Sequence, residues 1–131
     1  MSTVRSGVVL VGLVLALAGC ASEGFSVLEG EQGEKDRLPA SFDAVDLSGY
    51  DLASSRWSAS YDGRDFFVIV PESGTAPCLA VAGDGGPLVA CGGSGHVETQ
   101  MSDGTRVQFM PGPAIAGDGW TVISDNIRVR P

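Results

Sequence analysis

Cys78 and Cys91 sit at the two ends of a strand-turn-strand pattern, and few folds accommodate that arrangement. Cys78-Leu79-Ala80-Val81-Ala82 and Leu88-Val89-Ala90-Cys91 are short apolar runs separated by Gly83-Asp84-Gly85-Gly86 and Pro87. If residues 83–86 form the loop, Ala82 faces Pro87, and counting outward sets Cys78 opposite Cys91. Directly opposed residues of an antiparallel pair approach within the Cα separation that a disulfide bridges. Turn and cysteines thus predict one register by separate routes, and a Cys78–Cys91 disulfide is expected. The competing reading is a pair of small buried thiols. Closing such a loop contributes about 3 kcal/mol in the chain-entropy description, which matters to a domain of roughly 80 residues with a thin core.

From Arg56 onward the rest of the chain has the same grammar. Asp62-Gly63 separates Arg56-Trp57-Ser58-Ala59-Ser60-Tyr61 from Arg64-Asp65-Phe66-Phe67-Val68-Ile69-Val70, a strong hairpin signal because both turn residues need positive φ. Val97, Thr99 and Met101 alternate with His96, Glu98 and Gln100; after Ser102-Asp103-Gly104, Val107 and Phe109 alternate with Arg106 and Gln108. One face of that hairpin should meet water. Asp125-Asn126 separates a last pair of runs, in which Trp120 and Val122 are expected to join Ile127 and Val129 on the core face. Residues 40–55 show no clean period of two. They read as an irregular segment that lays Leu47, Tyr50 or Leu52 onto the domain, with Asp51 able to cap one helical turn. The expected fold is all-β: up to eight short strands in an antiparallel meander of hairpins, closed into a small barrel or folded as a two-layer sandwich.

The N-terminus has a different character. Residues 1–6 carry one charge, Arg5; residues 7–17 are apolar or Gly; Ala18-Gly19 precede Cys20. A charged start, a short apolar run and a small-residue cleavage site are the parts of a secretory signal. As a helix the apolar run spans roughly 20 Å, short of the roughly 30 Å of a bilayer core. Leu17-Ala18-Gly19-Cys20 resembles the lipobox of bacterial lipoproteins. The resemblance implies removal of residues 1–19 and a diacylglyceryl group on Cys20, whose two acyl chains are about what stable anchoring requires. The alternative is an ordinary signal peptide cut near Ala18 or Ala21. On the lipoprotein reading the chain divides into a signal peptide (1–19), a lipid-anchored acidic tether (20–40) and a disulfide-stapled β domain (41–131), placed on the extracytoplasmic face of the cell membrane. Residues 21–39 hold few large apolar side chains among many charges, so the tether is expected to be disordered and to hold the domain about 25 Å from the anchor.

Net charge narrows the partners. Losing Arg5 takes the chain from −8 to −9, which argues against nucleic acid, where Lys and Arg must replace counterions. It also argues against lying flat on anionic lipid. Lys occurs once, while Gly, Ala, Val and Asp abound. The order Arg56-Trp57, Asp62-Gly63, residues 66–70, Cys78-Leu79, Cys91-Gly92-Gly93, Gly119-Trp120 and Asn126-Ile127 is similar to that of small actinobacterial lipoproteins and secreted proteins. That resemblance implies a fold and carries over no catalytic residue.

Signals for chemistry are weak. His96 is the only histidine and reads as a strand-edge residue; zinc sites commonly use several His or Cys ligands. Gly92-Gly93-Ser94-Gly95-His96 misses the nucleophile elbow at its last position. Gly83-Asp84-Gly85-Gly86 has neither a dinucleotide nor a P-loop pattern. Asp43, Asp46 and Asp51 lack EF-hand spacing, and Asp62 and Asp65 flank a turn where solvated acids are ordinary. No catalytic residue, cofactor or metal is therefore assigned. The leading expectation is a non-enzymatic, membrane-anchored binding or envelope-accessory domain with an envelope protein partner. The alternatives are a small extracytoplasmic enzyme using carboxylates or Ser94 and His96, and an acidic sensor or inhibitor of a basic protein. Trp57, Tyr61, Phe66, Phe67 and Trp120 are where an exposed aromatic patch would lie.

Overall fold

The Asp62-Gly63 turn has both residues at positive φ, 49° and 74°, as a two-residue turn must to match the twist of its strands. It joins β1 (Tyr50–Tyr61) to β2 (Arg64–Pro71), with Tyr61 opposite Arg64. β3 (Cys78–Gly83) and β4 (Leu88–Ala90) pair with Leu79 opposite Ala90 and Val81 opposite Leu88. That register carried outward sets Cys78 against Cys91, and the two are bonded, with sulfurs 2.09 Å and Cα atoms 4.5 Å apart. β5 (Val97–Gln100) and β6 (Arg106–Phe109) are joined by a turn that a 2.7 Å bond closes, from the Met101 N–H to the Thr105 carbonyl, with Gly104 at φ 92°. β7 (Thr121–Ser124) and β8 (Ile127–Arg130) flank Asp125-Asn126. This computed structural model describes residues 24–74 and 76–131; the lipobox and Cys20 lie outside them.

The eight strands form two antiparallel sheets of four. The first is the expected meander, β1-β2-β3-β4, but the second is ordered β5-β6-β8-β7. The chain leaves β6, crosses to the far edge to form β7, and returns between them as β8. The arrangement is the two-layer one, with no closed barrel. Phe66, Val68, Leu79 and Val81 of the first sheet meet Val107, Phe109, Ile127 and Val129 of the second in a shared core.

Trp120 and Val122 are not on that core face. Val122 pairs with Arg128, but Ser124 pairs with Ile127, so one extra residue, Ile123, is accommodated in β7. A one-residue slip flips every side chain beyond it. Ile123 packs against the core, while Val122 is 38% exposed. Trp120 lies beneath the Arg128 guanidinium, 4.6 Å from its ring centroid.

From Gly24 onward, the segment expected to be a free tether lies on the domain instead. The Gly24 carbonyl accepts from the Gly112 N–H (2.9 Å) and from Asn126 Nδ2 (2.7 Å). Phe25 is buried between the sheets, its ring centroid 4.9 Å from that of Phe109. Three short 3-10 turns follow, Ser26–Glu29, Glu34–Asp36 and Ala40–Ala44. Arg56 donates to the Gly30 carbonyl from Nε and Nη2, the Trp57 N–H donates to Asp36 Oδ1, and the Lys35 ammonium lies 3.5 Å from the Trp57 ring centroid. Phe42 then closes a second core with Phe67, Ile69, Cys78, Ala80 and Ala82 on the outer face of the first sheet. The few apolar residues of this segment cannot form a core among themselves. Spaced as they are, they each reach a core already built by strands.

Candidate functional site

The sequence candidates for chemistry do not converge. Ser94 and His96 are both exposed. They line different clefts, Ser94 the one around Gly24 and His96 one on the outer face of the second sheet, and no hydrogen bond between them occurs among the described residues. Asp65 accepts from Trp57 Nε1 (3.2 Å) and from the Ser60 hydroxyl, which ties β1 to β2. Glu98 pairs with Arg106 and accepts from Gln108 Nε2 (2.9 Å), and chiefly that Gln108 donor holds its carboxyl below the usual range. No group of three or more His, Cys, Asp or Glu side chains placed to hold a metal occurs among the described residues. The five aromatic candidates form no common exposed patch among the described residues, and Trp120 lies half-exposed beneath Arg128. Phe66 and Phe67 are buried, Tyr61 packs on the shared core and Trp57 on the second one.

Arg64 has a role the sequence did not advertise. It is buried at the start of β2, yet it reaches two other turns. Nε donates to the Asp84 carbonyl (2.8 Å) and Nη2 lies 2.9 Å from Asp103 Oδ2. One guanidinium thus ties together the β1–β2, β3–β4 and β5–β6 turns, and with them the two sheets. Asp103 is held down to about 2, first by the Thr105 backbone N–H and then by the Arg64 side chain. Asn126 does the equivalent work at the opposite end, donating to the Gly24, Met110 and Gly112 carbonyls. Nothing in the sequence beyond the Asp62-Gly63 turn that precedes it marks Arg64.

One feature that presents an apolar surface is a groove of about 400 Å³ between the N-terminal segment and β1. Its origin is local. Between the Asp51–Val70 and Arg56–Val68 pairs, β1 spends five steps where β2 spends two. The surplus arches away from the sheet at residues 52–55. Asp51 caps this arch through the Ala53 N–H (3.1 Å), and the Ser54 hydroxyl donates to the Asp51 carbonyl and accepts from the Val70 N–H. The capping role expected of Asp51 is present, but on a bulged strand rather than a helical turn. Ser55, buried, accepts from Gln32 Nε2 (2.9 Å) and donates to the Asp36 carbonyl (2.7 Å), closing one end of the groove. Phe42 forms part of its lining with Leu38, Pro39 and Leu47, and Arg37 and Asp43 also border it. Leu52 stands on the rim 54% exposed, rather than packed on the domain. The groove can take an apolar side chain, and its polar end is already satisfied.

Compared with protein-family models, with curated proteins and with solved structures, the chain matches none of them.

Proposed function

We propose that this protein is a lipid-anchored domain on the extracytoplasmic face of a bacterial cell membrane, held through Cys20, that docks an envelope protein rather than turning over a substrate. The observation that carries the docking reading is the β1 groove: an apolar recess with an exposed leucine at its rim, built by a capped bulge. Arching β1 away from its partner forgoes ladder hydrogen bonds, and bulges are over-represented at sheet edges and beside functional sites. The occupant that suits it is an extended segment offering one apolar side chain, flanked by basic residues because the chain without Arg5 carries a net charge of −9. The anchor reading rests on the lipobox resemblance.

Three measurements test it. Intact mass of the membrane-extracted protein, with and without reductant, should give a chain beginning at diacylglyceryl-Cys20 with two further thiols appearing only on reduction; a soluble, unlipidated chain cut elsewhere removes the anchor. A photo-crosslinker placed at Leu52 in cells should give one dominant envelope-protein adduct, lost on Ala53→Trp, which fills the groove, and not formed from Val122. Turnover by the purified protein that vanishes on His96→Ala would overturn the docking reading in favour of an enzyme.

A further inference from the structure

The segment expected to hold the domain at a distance is folded onto it from Gly24, and this changes what the anchor can do. Between Cys20 and Gly24 the sequence has only Ala21, Ser22 and Glu23. Four residue steps, fully extended, reach at most about 14 Å. Gly24 itself cannot swing away, because its carbonyl takes hydrogen bonds from Gly112 and Asn126 and Phe25 beside it is buried in the shared core.

Gly24 lies at one end of the sandwich. β2 and β6 end there, β3, β5 and β8 begin there, and the connections nearest Gly24 are those around residues 76–77, 92–96 and 110–113. The cleft of about 420 Å³ around Gly24 is lined by Phe25, Ala76, Pro77, Ser94, Pro111 and Gly112, all uncharged. Acids stand around this collar: Glu29 and Asp125 border a neighbouring cleft, exposed Glu72 follows the end of β2, and Asp51 pairs with Val70 close by. The opposite end carries the Asp62, Asp84 and Asp103 turns gathered by Arg64. An eight-residue strand such as β2 separates the two ends by about 26 Å.

Resting on the reading that Cys20 is lipidated, we infer that the anchor holds the domain end-on and close against the bilayer, with the uncharged collar around Gly24 facing the lipid headgroups and the Arg64-clipped turns facing away. The short reach from Cys20 to the fixed Gly24, rather than charge, sets this pose. Acidic faces repel anionic lipid only within about a Debye length, roughly 8 Å at physiological ionic strength. An end-on pose puts only the collar and the acids beside it within that range and keeps the far turns and most of the sides outside it. The groove beside β1 then opens sideways, parallel to the membrane, where a segment of a neighbouring envelope protein can reach it.

The test uses the native lipoprotein extracted from membranes and reconstituted in phosphatidylcholine vesicles containing phosphatidylglycerol, with p-benzoylphenylalanine placed singly at Ser94, Pro113, Asp84 or Asp103. After illumination, lipid adducts are measured by intact mass. Adducts at Ser94 and Pro113 should exceed those at Asp84 and Asp103 at least tenfold. Inserting a Gly-Ser linker of about 20 residues between Glu23 and Gly24, which adds about 25 Å of reach, should abolish the difference. A chain carrying diacylglyceryl-Cys20 that labels equally at both ends, or only at Asp84 and Asp103, overturns the orientation and leaves the anchor standing. A chain whose mass shows no lipid on Cys20 overturns anchor and orientation together.

Discussion

The first sheet is buried on both faces, whereas the second buries one and wets the other. In β2, Phe66, Phe67, Val68 and Ile69 are all buried in succession: Phe66 and Val68 look toward the second sheet, Phe67 and Ile69 toward Phe42 and the N-terminal segment. In β6, Val107 and Phe109 are buried while Arg106 is exposed and Gln108 half-buried. The outer face of the second sheet is a polar lattice in which Glu98 bonds Arg106 and Gln108, and Gln108 accepts from Arg128 Nε. An antiparallel sheet with one wet face stands as two layers; one with two apolar faces demands a third. Here the third layer is not a helix or a sheet but an irregular segment with little apolar content of its own. Covering a face therefore requires well-placed side chains rather than a hydrophobic run.

Removing the cover should be the most damaging change. Phe42 is 2% exposed and is the main contribution of the N-terminal segment to the second core, so Phe42→Ala should cost about 3–5 kcal/mol, measured by urea unfolding. It should also raise hydrogen exchange in β1 more than in β6. A loss below about 1 kcal/mol would mean that the outer face of the first sheet is not a core. Breaking the disulfide on the same face comes next. Cys78→Ala with Cys91→Ala opens a loop with a sequence separation of 13 and should cost about 3 kcal/mol by the chain-entropy estimate.

The two halves were not equally legible in the sequence. Alternation in residues 97–101 and 106–109 marked the second sheet's buried and wet faces because period two survives when one face meets water. The Cys78–Cys91 register was readable because turn length and cysteine spacing had to agree. The continuous run 66–70 identified a strand but not what covered its outer face. The cover comes mostly from residues 40–50, where Leu47 and Tyr50 do lie on the domain as expected, but nothing local to Phe42 there, or to Phe25 in the charge-rich segment before it, reveals that strands elsewhere leave a place for them. The Ile123 bulge was hidden for a similar reason. A slip between adjacent apolar residues, Val122 and Ile123, has no composition signal, so plain alternation puts Val122 on the wrong face. The groove at residues 52–55 was missed because Asp51, Ala53 and Ser54 suit a helix cap as well as a capped bulge.

The junction between the sheets should be sensitive to acid. Asp103 has its carboxyl lowered from an ordinary value of 3.8 to about 2. A carboxylate with a depressed folded pKa contributes stability that is complete above its unfolded pKa and is lost as pH falls toward its folded one. The contribution of Asp103 should therefore be whole above pH of about 4 and fade between there and about 2. Because Asp103 is partly exposed, screening keeps it modest. Unfolding titrations of the native chain and of Asp103→Asn should differ at neutral pH and converge toward pH of about 2. A difference that persists unchanged at that pH would show that the side-chain charge is not what ties the turns together.

The smallest effect is expected on the wet face, and it sharpens the comparison most because a null there is informative only beside a loss elsewhere. Val122 is 38% exposed and pairs with Arg128 on the outward side of β7. Val122→Thr keeps the β-branched shape that suits a strand and exchanges one exposed methyl for a hydroxyl, so stability should move by no more than about 0.5 kcal/mol. Had the strand kept regular pairing, Val122 would lie against Val129 in the core, and the buried hydroxyl would cost about 1–3 kcal/mol. A result in that larger range would remove the Ile123 bulge and return Val122 to the core. A null beside a large loss for Phe42→Ala would place the dry outer face on the first sheet and the wet one on the second.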